Sequence, residues 1–457
     1  MIDEGSRLLP AAALYPTSVL AVLMLGYALT RTQHLAGRFL ILIIWLRYMM
    51  QVFPDITHPP DFAGFSLNAW TSLAVCALGA FVVKHRLRVI GRLPIVLILM
   101  GVIVLSGTIN DAYAGMVETL LKWGYFFIVA LCVYDCIQRD GDARILAPLL
   151  WAFVPPLMLQ AVSIALGAGK ASESDSSISF VGGFSHEAAF SMVLVTCFAV
   201  ASFAPRLNPV VRVGLLTACV IGIFAANYRT ALIALAPLAI GYVTFSTARS
   251  FTSRQRIFVG AAALVGAIGV TLLAAWALRE RMADIAAAAG DDALFKPPGD
   301  FNQTERALFS GRIYIWSSYL HAYLAGDDLR ILFGFGPDAW VGVFNTYAHN
   351  TVVSYLYEFG LFGAALIVVV WLGMLLRARA IADPWQRGQV MFAHLGFIVL
   401  NLATMPHWQL EGLIFYGLLC GYTIAFTSRV RAPRAYPRAY MPVPRPLPQH
   451  AAPDGGA

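Results

Sequence analysis

Long apolar runs recur along almost the whole chain, separated by short polar connections. A membrane span needs about 20 mostly apolar residues. Thirteen segments meet or approach that length, at 10–30, 38–54, 66–83, 93–110, 114–137, 145–167, 187–204, 210–226, 229–248, 256–278, 350–376, 389–405 and 409–427. Arg47 interrupts the second, and only Ala226-Asn227-Tyr228-Arg229 separates the eighth from the ninth. The pattern predicts an all-α fold, a polytopic membrane helical bundle of about 12–13 transmembrane helices. Residues 1–278 hold helices 1–10, and 279–349 form one large extramembrane loop. Helices 11–13 follow at 350–427, and 428–457 is a Pro-rich tail whose composition predicts disorder on the cytoplasmic side.

Positive charge assigns the sides. The connections carrying Arg31 and Arg38, Lys84 to Arg92, Arg139 and Arg144, Arg206 and Arg212, Arg249 to Arg256, and Arg377 to Arg387, together with the tail, hold 21 of the 32 Lys and Arg. All fall on one side if thirteen spans alternate, which puts the N-terminus outside and the C-terminus in the cytoplasm. The opposite short loops are nearly free of Lys and Arg. The large loop 279–349 lies outside, with six basic and nine acidic residues and Asp pairs at 291–292 and 327–328. Within it, Leu308 to Leu324 reads as an amphipathic helix with Tyr314, Trp316, Tyr319 and Tyr323, suited to the membrane surface or to capping a cleft.

Composition closes the alternatives. The chain is 59% hydrophobic and 12% charged, about half the charge of a soluble domain. A soluble enzyme, a disordered chain and a disulfide-stapled secreted domain are excluded. The net charge of +7 then reflects topology and contact with membrane lipids, not nucleic acid. The six cysteines lie in apolar runs without metal-type spacing; Cys132 and Cys136 share a helix face and read as packing. The N-terminus, with Asp3 and Glu4 ahead of a spanning run, offers no cleavable signal.

In such a chain the informative residues are ionisable groups at membrane depth or on the wrong side. Arg229 stands at the outer start of span nine, where the charge bias disfavours it. Arg312 opens the aromatic helix after Ser310-Gly311, with Trp316 one turn on. Two outward guanidiniums beside a helix start suit a diphosphate, held bidentately and by the helix dipole. His349-Asn350 precedes Glu358, Gly360 and Gly363. On a helix beginning near His349 the imidazole and both glycines would share one stripe, within about 40°, and the histidine could act as a general base at a wet mouth. Further candidates are His186 and Glu187 after Gly182-Gly183-Phe184, as acceptor-binding groups, and Lys122 in span five. Lys122 and Arg47 each require a partner or a wet cavity. His407-Trp408 with Glu411 reads as an interfacial turn.

Taken in order, these residues resemble the bacterial O-antigen ligase and polysaccharide polymerase (Wzy-like) superfamily. The resemblance runs from Phe309-Ser310-Gly311-Arg312 and Trp316, through Leu332-Phe333-Gly334-Phe335-Gly336, to Ala348-His349-Asn350 and Leu356, Glu358 and Phe359-Gly360-Leu361-Phe362-Gly363. Upstream, Tyr228-Arg229-Thr230 and Gly182-Gly183-Phe184 are similar to further family steps. The resemblance implies an inner-membrane glycosyltransferase with a periplasmic active site and an undecaprenyl-diphosphate-linked oligosaccharide donor. It further implies that Arg229 and Arg312 hold the diphosphate and His349 activates the hydroxyl of a saccharide acceptor. Asn350, Trp316, His186, Glu187 and Lys122 are the accompanying substrate-binding candidates. No metal or cofactor is required, since the diphosphate is already a good leaving group and cations can stabilise it as it departs. The family's twelve or so spans with both ends cytoplasmic differ from the thirteen counted, at spans one and two. Polymerisation of an exopolysaccharide or O-antigen is the leading expectation, with other polysaccharide-assembly proteins as potential partners. Ligation of O-antigen to lipid A-core is the alternative within the class. A flippase or other transporter is the alternative outside it, disfavoured because the notable charges collect at span ends and no matching halves are evident.

Overall fold

The computed structural model describes residues 9–60, 64–171, 178–247, 294–307 and 311–428, with isolated positions between 252 and 261. The span expected at 256–278, Ser310, the Asp pair at 291–292 and the C-terminal tail lie outside the described residues, isolated positions of that span apart. Over the rest, the other twelve expected spans coincide with helical elements. These are α1 (Ala11–Thr30), α2 (Leu35–Met50), α4 (Leu67–Val82), α5 (Pro94–Ile109), α6 (Tyr113–Asp140), the pair α7 (Asp142–Leu149) and α8 (Val154–Ala165), α9 (Glu187–Phe203), α10 (Pro209–Ala225) and α11 (Arg229–Gly241), then α15 (Thr351–Ala378), α16 (Pro384–Ala403) and α17 (Leu410–Thr427). Short helices α3 (Pro54–Thr57), α12 (Gln303–Ala307), α13 (Arg312–Leu324) and α14 (Asp328–Phe333) fill connections. The only strands among the described residues form a two-residue ladder, Lys170–Ala171 with Ile178–Ser179. The protein is an all-α, multi-pass membrane protein.

By length and composition six of the described helical segments can cross a membrane unaided: Ala11–Thr30, Tyr113–Asp140, Arg144–Ala165, Arg229–Ser246, Thr351–Ala378 and Leu410–Thr427. Others, such as α2 with 16 residues, rise only about 24 Å at 1.5 Å per residue. These shorter helices rely on neighbours to complete their passage. Pro94 ends a short helix at Lys84–Arg92 that meets α5 at 90°, so the basic stretch turns away from the spanning axis instead of extending it. Pro148, Pro155 and Pro156 flank a one-turn break at Leu150–Ala152 between α7 and α8, because proline cannot supply the helical N–H.

At the centre, α6 packs along α17. Gly417 and Gly421, four residues apart, face the carbonyls of Phe126 and Ala130 so closely that a Cβ would strike them. Small residues at that spacing let two backbones approach in a bilayer, where apolar burial alone drives little association. Arg47 finds its partner in the same core: its Nε donates to Glu411 Oε1 at 2.7 Å and its Nη1 to Asn68 Oδ1 at 3.1 Å. Two expectations are corrected here. His407 is not interfacial but 4% exposed, stacked between the rings of Trp123 and Trp371, with Trp371 Nε1 donating to its Nε2 at 2.8 Å. His349 does not share a helical stripe with Gly360 and Gly363.

The reason lies in α15. Asn350 is its N-cap, so His349 stands outside the helix, in the left-handed region at φ +51°. Gly360, at φ +68° and ψ −165°, then breaks the helix midway. A break leaves carbonyls without helical donors, and in a bilayer they must be paired. Here the segment after α14 pairs them: Phe335 N donates to Tyr357 O at 2.9 Å, and Gly336 N to Glu358 O at 3.0 Å. Ser106 Oγ adds a bond to Glu358 O at 2.8 Å. The two strands of backbone cross in contact, since a Cβ at Gly334 would strike Glu358 and Phe359, and one at Gly360 would strike Leu332 and Phe333.

Both glycines therefore combine positive φ with no room for a side chain. Gly334→Ala and Gly360→Ala are each expected to cost about 2–4 kcal/mol. Thermal unfolding of the detergent-solubilised protein should show a clear fall in Tm for each, against little change for Gly26→Ala, where nothing lies within 4 Å.

Candidate functional site

The loop pinned across α15 leads directly to His349. Between Gly336 and His349 it carries Trp340, Phe344 and Tyr347, which pack on Tyr319 of α13, Tyr357 of α15 and Trp408 ahead of α17. Tyr319 of α13 stacks on Phe344 with centroids 3.9 Å apart, and Phe335 stacks on Tyr357 at 4.7 Å. Helix α13 is thus fixed against α15 through Tyr319, which packs edge-on against Tyr357, and against α14 through Tyr323, whose hydroxyl donates to Ile331 O at 2.6 Å. Its described residues begin at Arg312, after Gly311 at φ +78°; positions 308–310 lie outside the described residues.

Three of the sequence candidates meet at this end. His186 caps α9, its Nδ1 accepting from Ala188 N at 3.1 Å. That bond leaves the proton on Nε2, which lies 3.3 Å from the Tyr347 hydroxyl. Tyr347 in turn packs on His349 with centroids 4.0 Å apart. Arg312 stands close enough to act on the His349 charge. Burial, then Arg312, then His186 push the His349 pKa down to about 4. The imidazole is therefore neutral at neutral pH, the form able to accept a proton.

Arg229 joins through the backbone of its own helix. It is the first residue of α11, as Arg312 is of α13. Arg312 Nη2 donates to Thr230 Oγ1 at 3.3 Å, so the guanidinium of one helix start reaches the residue after Arg229 on the other. The neighbouring Tyr228 hydroxyl is raised in pKa by burial, with Arg312 opposing and Glu187 reinforcing the shift. Glu187 itself lies 3.7 Å from Lys170 Nζ. Gly182, at φ +59°, lets the chain before α9 press against the backbone of Gln160, and Gly183, at φ +91°, faces Val52, fixing where His186 begins its helix.

The other candidates have structural engagements. Asn350 Oδ1 accepts from Val352 N and Val353 N, while its Nδ2 donates to Leu402 O at 2.9 Å. Trp316 Nε1 donates to Ala348 O at 2.8 Å, holding the residue before His349. Both position the imidazole. Lys122 is not beside Arg312 but one layer away. It pairs with Glu118 at 2.7 Å and lies 5.1 Å above the Trp408 ring. Trp408 stacks on Tyr347 at 5.7 Å, so aromatic rings stand between Lys122 and His349. Trp408 Nε1 donates to Asp338 Oδ1 at 3.2 Å, and Asp338 N donates to Glu358 Oε2 at 2.9 Å. Burial raises the Asp338 pKa against the pull of Lys122.

Sequence reasoning did not single out Tyr347, Tyr228, Asp338 or Trp408 as site residues. Tyr347 carried the one usable signal, an aromatic two positions before the candidate base. Among the described residues no three His, Cys, Asp or Glu side chains are grouped to hold a metal ion.

Residues 213–368 match the family described as O-antigen ligase. The matched stretch contains Arg229, Arg312, His349 and the broken part of α15. This segment belongs to the O-antigen ligase superfamily. The resemblance read from the motifs is thereby supported over this segment, and the match supports a membrane enzyme of the O-antigen ligase and polymerase type. No curated protein matches the chain.

The neighbours of His349 yield a pH prediction. Its proton-accepting form is lost only as pH falls through about 4, so kcat/KM should hold from neutral pH down to about 5 and fall near 4. Arg312→Gln removes a cation that disfavours the imidazolium. Its residual kcat/KM should therefore begin to fall at a higher pH than in the wild type, a shift read from paired pH–rate profiles.

Proposed function

We propose that the protein transfers an undecaprenyl-diphosphate-linked oligosaccharide onto a sugar acceptor at the periplasmic face of the bacterial inner membrane, polymerising an exopolysaccharide or O-antigen. The observation that carries this reading is the meeting of two arginine-led helix starts, Arg312 bonded to Thr230 beside Arg229, next to a neutral histidine. Guanidiniums match phosphate oxygens bidentately, and helix N-termini add their dipoles. A site with this excess of positive charge gains most from a dianionic or trianionic ligand.

In the proposed reaction the acceptor hydroxyl attacks the anomeric carbon of the donor. The C–O bond to the diphosphate breaks and its electron pair leaves on the phosphate oxygen. Arg229 and Arg312 stabilise that departing charge, so no general acid is needed. His349 takes the hydroxyl proton. An incoming diphosphate also offsets the effect of Arg312 on His349 and makes the imidazole a stronger base when the donor is bound. In-line attack inverts the anomeric centre, without a metal. His186 and Tyr347 hold the imidazole from behind, and Trp316 and Asn350 fix the backbone on either side.

Arg229→Lys keeps the charge but loses the fork. It should lower kcat/KM for lipid-linked oligosaccharide by about tenfold or more, the equivalent of one charge-assisted hydrogen bond; unchanged turnover removes Arg229 from the site. His349→Ala should lose about 100-fold or more in rate while donor binding persists. Glycan profiles of a deletion strain complemented with these variants separate the readings. Single repeats still attached with chain length lost mean a polymerase, whereas glycan no longer joined to lipid A-core means a ligase.

A further inference from the structure

A cavity of about 660 Å³ opens at the other end of α6, among the ends of α1, α2, α6 and α7. Its walls include Arg31, His34, Asp140, Arg144, Tyr27 and Trp151. It is separate from the site above. The first turn of α6 meets the Asp338 loop at Gly115, while Asp140 is its last residue. Those positions are 25 residues apart, about 38 Å along a helix, or roughly one bilayer.

The chemistry of the cavity is amphiphilic. His34 Nε2 pairs with Asp140 at 3.0 Å, and Arg144 Nη1 lies 3.7 Å from the same carboxylate. Arg31 sits 4.9 Å over the Tyr27 ring, and Tyr27 packs edge-on against Trp151 at 5.0 Å. Arg31 and Arg144 outnumber the Asp140 carboxylate by one charge, which a monoanionic phosphodiester neutralises. The apolar side continues out of the cavity. Leu20, Leu23 and Tyr27, at 43%, 64% and 43% exposure, follow one another at helical spacing along the outer face of α1 and lead to Arg31. A volume of this size suits a lipid headgroup, and that exposed stripe suits an acyl chain.

We infer that this cavity binds the phosphodiester headgroup of an anionic phospholipid, with Arg31 and Arg144 on the phosphate and one acyl chain laid along α1. The lipid belongs to the leaflet opposite the His349 site. Asp140 and His34 orient Arg144 toward the phosphate, and the Tyr27–Trp151 wall lies at the glycerol level.

The full-length protein in detergent, mixed with phosphatidylglycerol, phosphatidylcholine or inorganic phosphate, tests this by native mass spectrometry. Wild type should retain one phosphatidylglycerol in preference to phosphatidylcholine. The double variant Arg31→Gln, Arg144→Gln should retain it about tenfold less well, as expected for the loss of charged hydrogen bonds. Phosphatidylglycerol with brominated chains should quench part of the wild-type tryptophan fluorescence, a component missing in Trp151→Phe. Equal retention of both lipids, retention unchanged in the double variant, or quenching unchanged in Trp151→Phe overturns the assignment. Binding of inorganic phosphate without phosphatidylglycerol overturns the lipid as its source.

Discussion

Two carbonyls that a helix cannot use determine how the His349 end of this protein is built. Gly360 takes a conformation outside the helical region, and the oxygens of Tyr357 and Glu358 need donors in a setting where water is scarce. The backbone of Phe335 and Gly336 supplies them, which drags the following loop across α5 and the start of α6. From there the chain has few residues in which to reach Asn350, the cap of the resumed helix. The positions of Trp340, Phe344 and Tyr347, and the left-handed turn at His349, follow from that crossing. Side-chain stacking decorates it, but the crossing of two glycine-lined backbones sets the frame.

On that frame the electrostatics are arranged against the ionised histidine. Arg312 and His186 both disfavour the imidazolium, and burial does so more strongly. In the proposed reaction the phosphates of the donor pair Arg312 and strengthen the base in the same step, so that their binding energy lowers the cost of deprotonating the acceptor. That coupling needs no titrating acid, which fits the absence of any requirement for one in departure of a diphosphate.

The sequence made the helices legible because bilayer thickness imposes a length on apolar runs, and twelve expected segments lie where described helices do. Arg229 stood out for a related reason, as a charge at a span end, whereas Arg312 and His349 stood out by their place at the start of an expected helix. The sequence did not reveal the broken helix. Glu358-Phe359-Gly360-Leu361 sits inside a continuous apolar run, and a lone glycine there reads as a packing site. Only the backbone of Gly334, 26 positions earlier, shows why the helix gives way. Arg47 was visible as an anomaly in need of a partner, yet Glu411 read as part of an interfacial turn, and their pairing across 364 positions depends on how α2 meets α17. His407 misled for the opposite reason: polar residues beside a turn usually face water, whereas here a tryptophan N–H satisfies the imidazole inside the core.

The close packing of α6 on α17 gives the chain a rigid spine through the membrane. Gly417 and Gly421 leave no gap against α6, and the Arg47–Glu411 pair anchors α2 to the same core. At one end of this spine glycine contacts and backbone bonds hold the loop crossing, while the opposite end, where α6 stops at Asp140, is open enough to form a cavity. The contrast has a physical basis. At the His349 end backbone hydrogen bonds and glycine contacts demand one geometry, whereas at the other end an exposed helix face and long arginine side chains tolerate many. Precision is thus concentrated where bonds are proposed to be made and broken, and adaptability where the chain meets lipid.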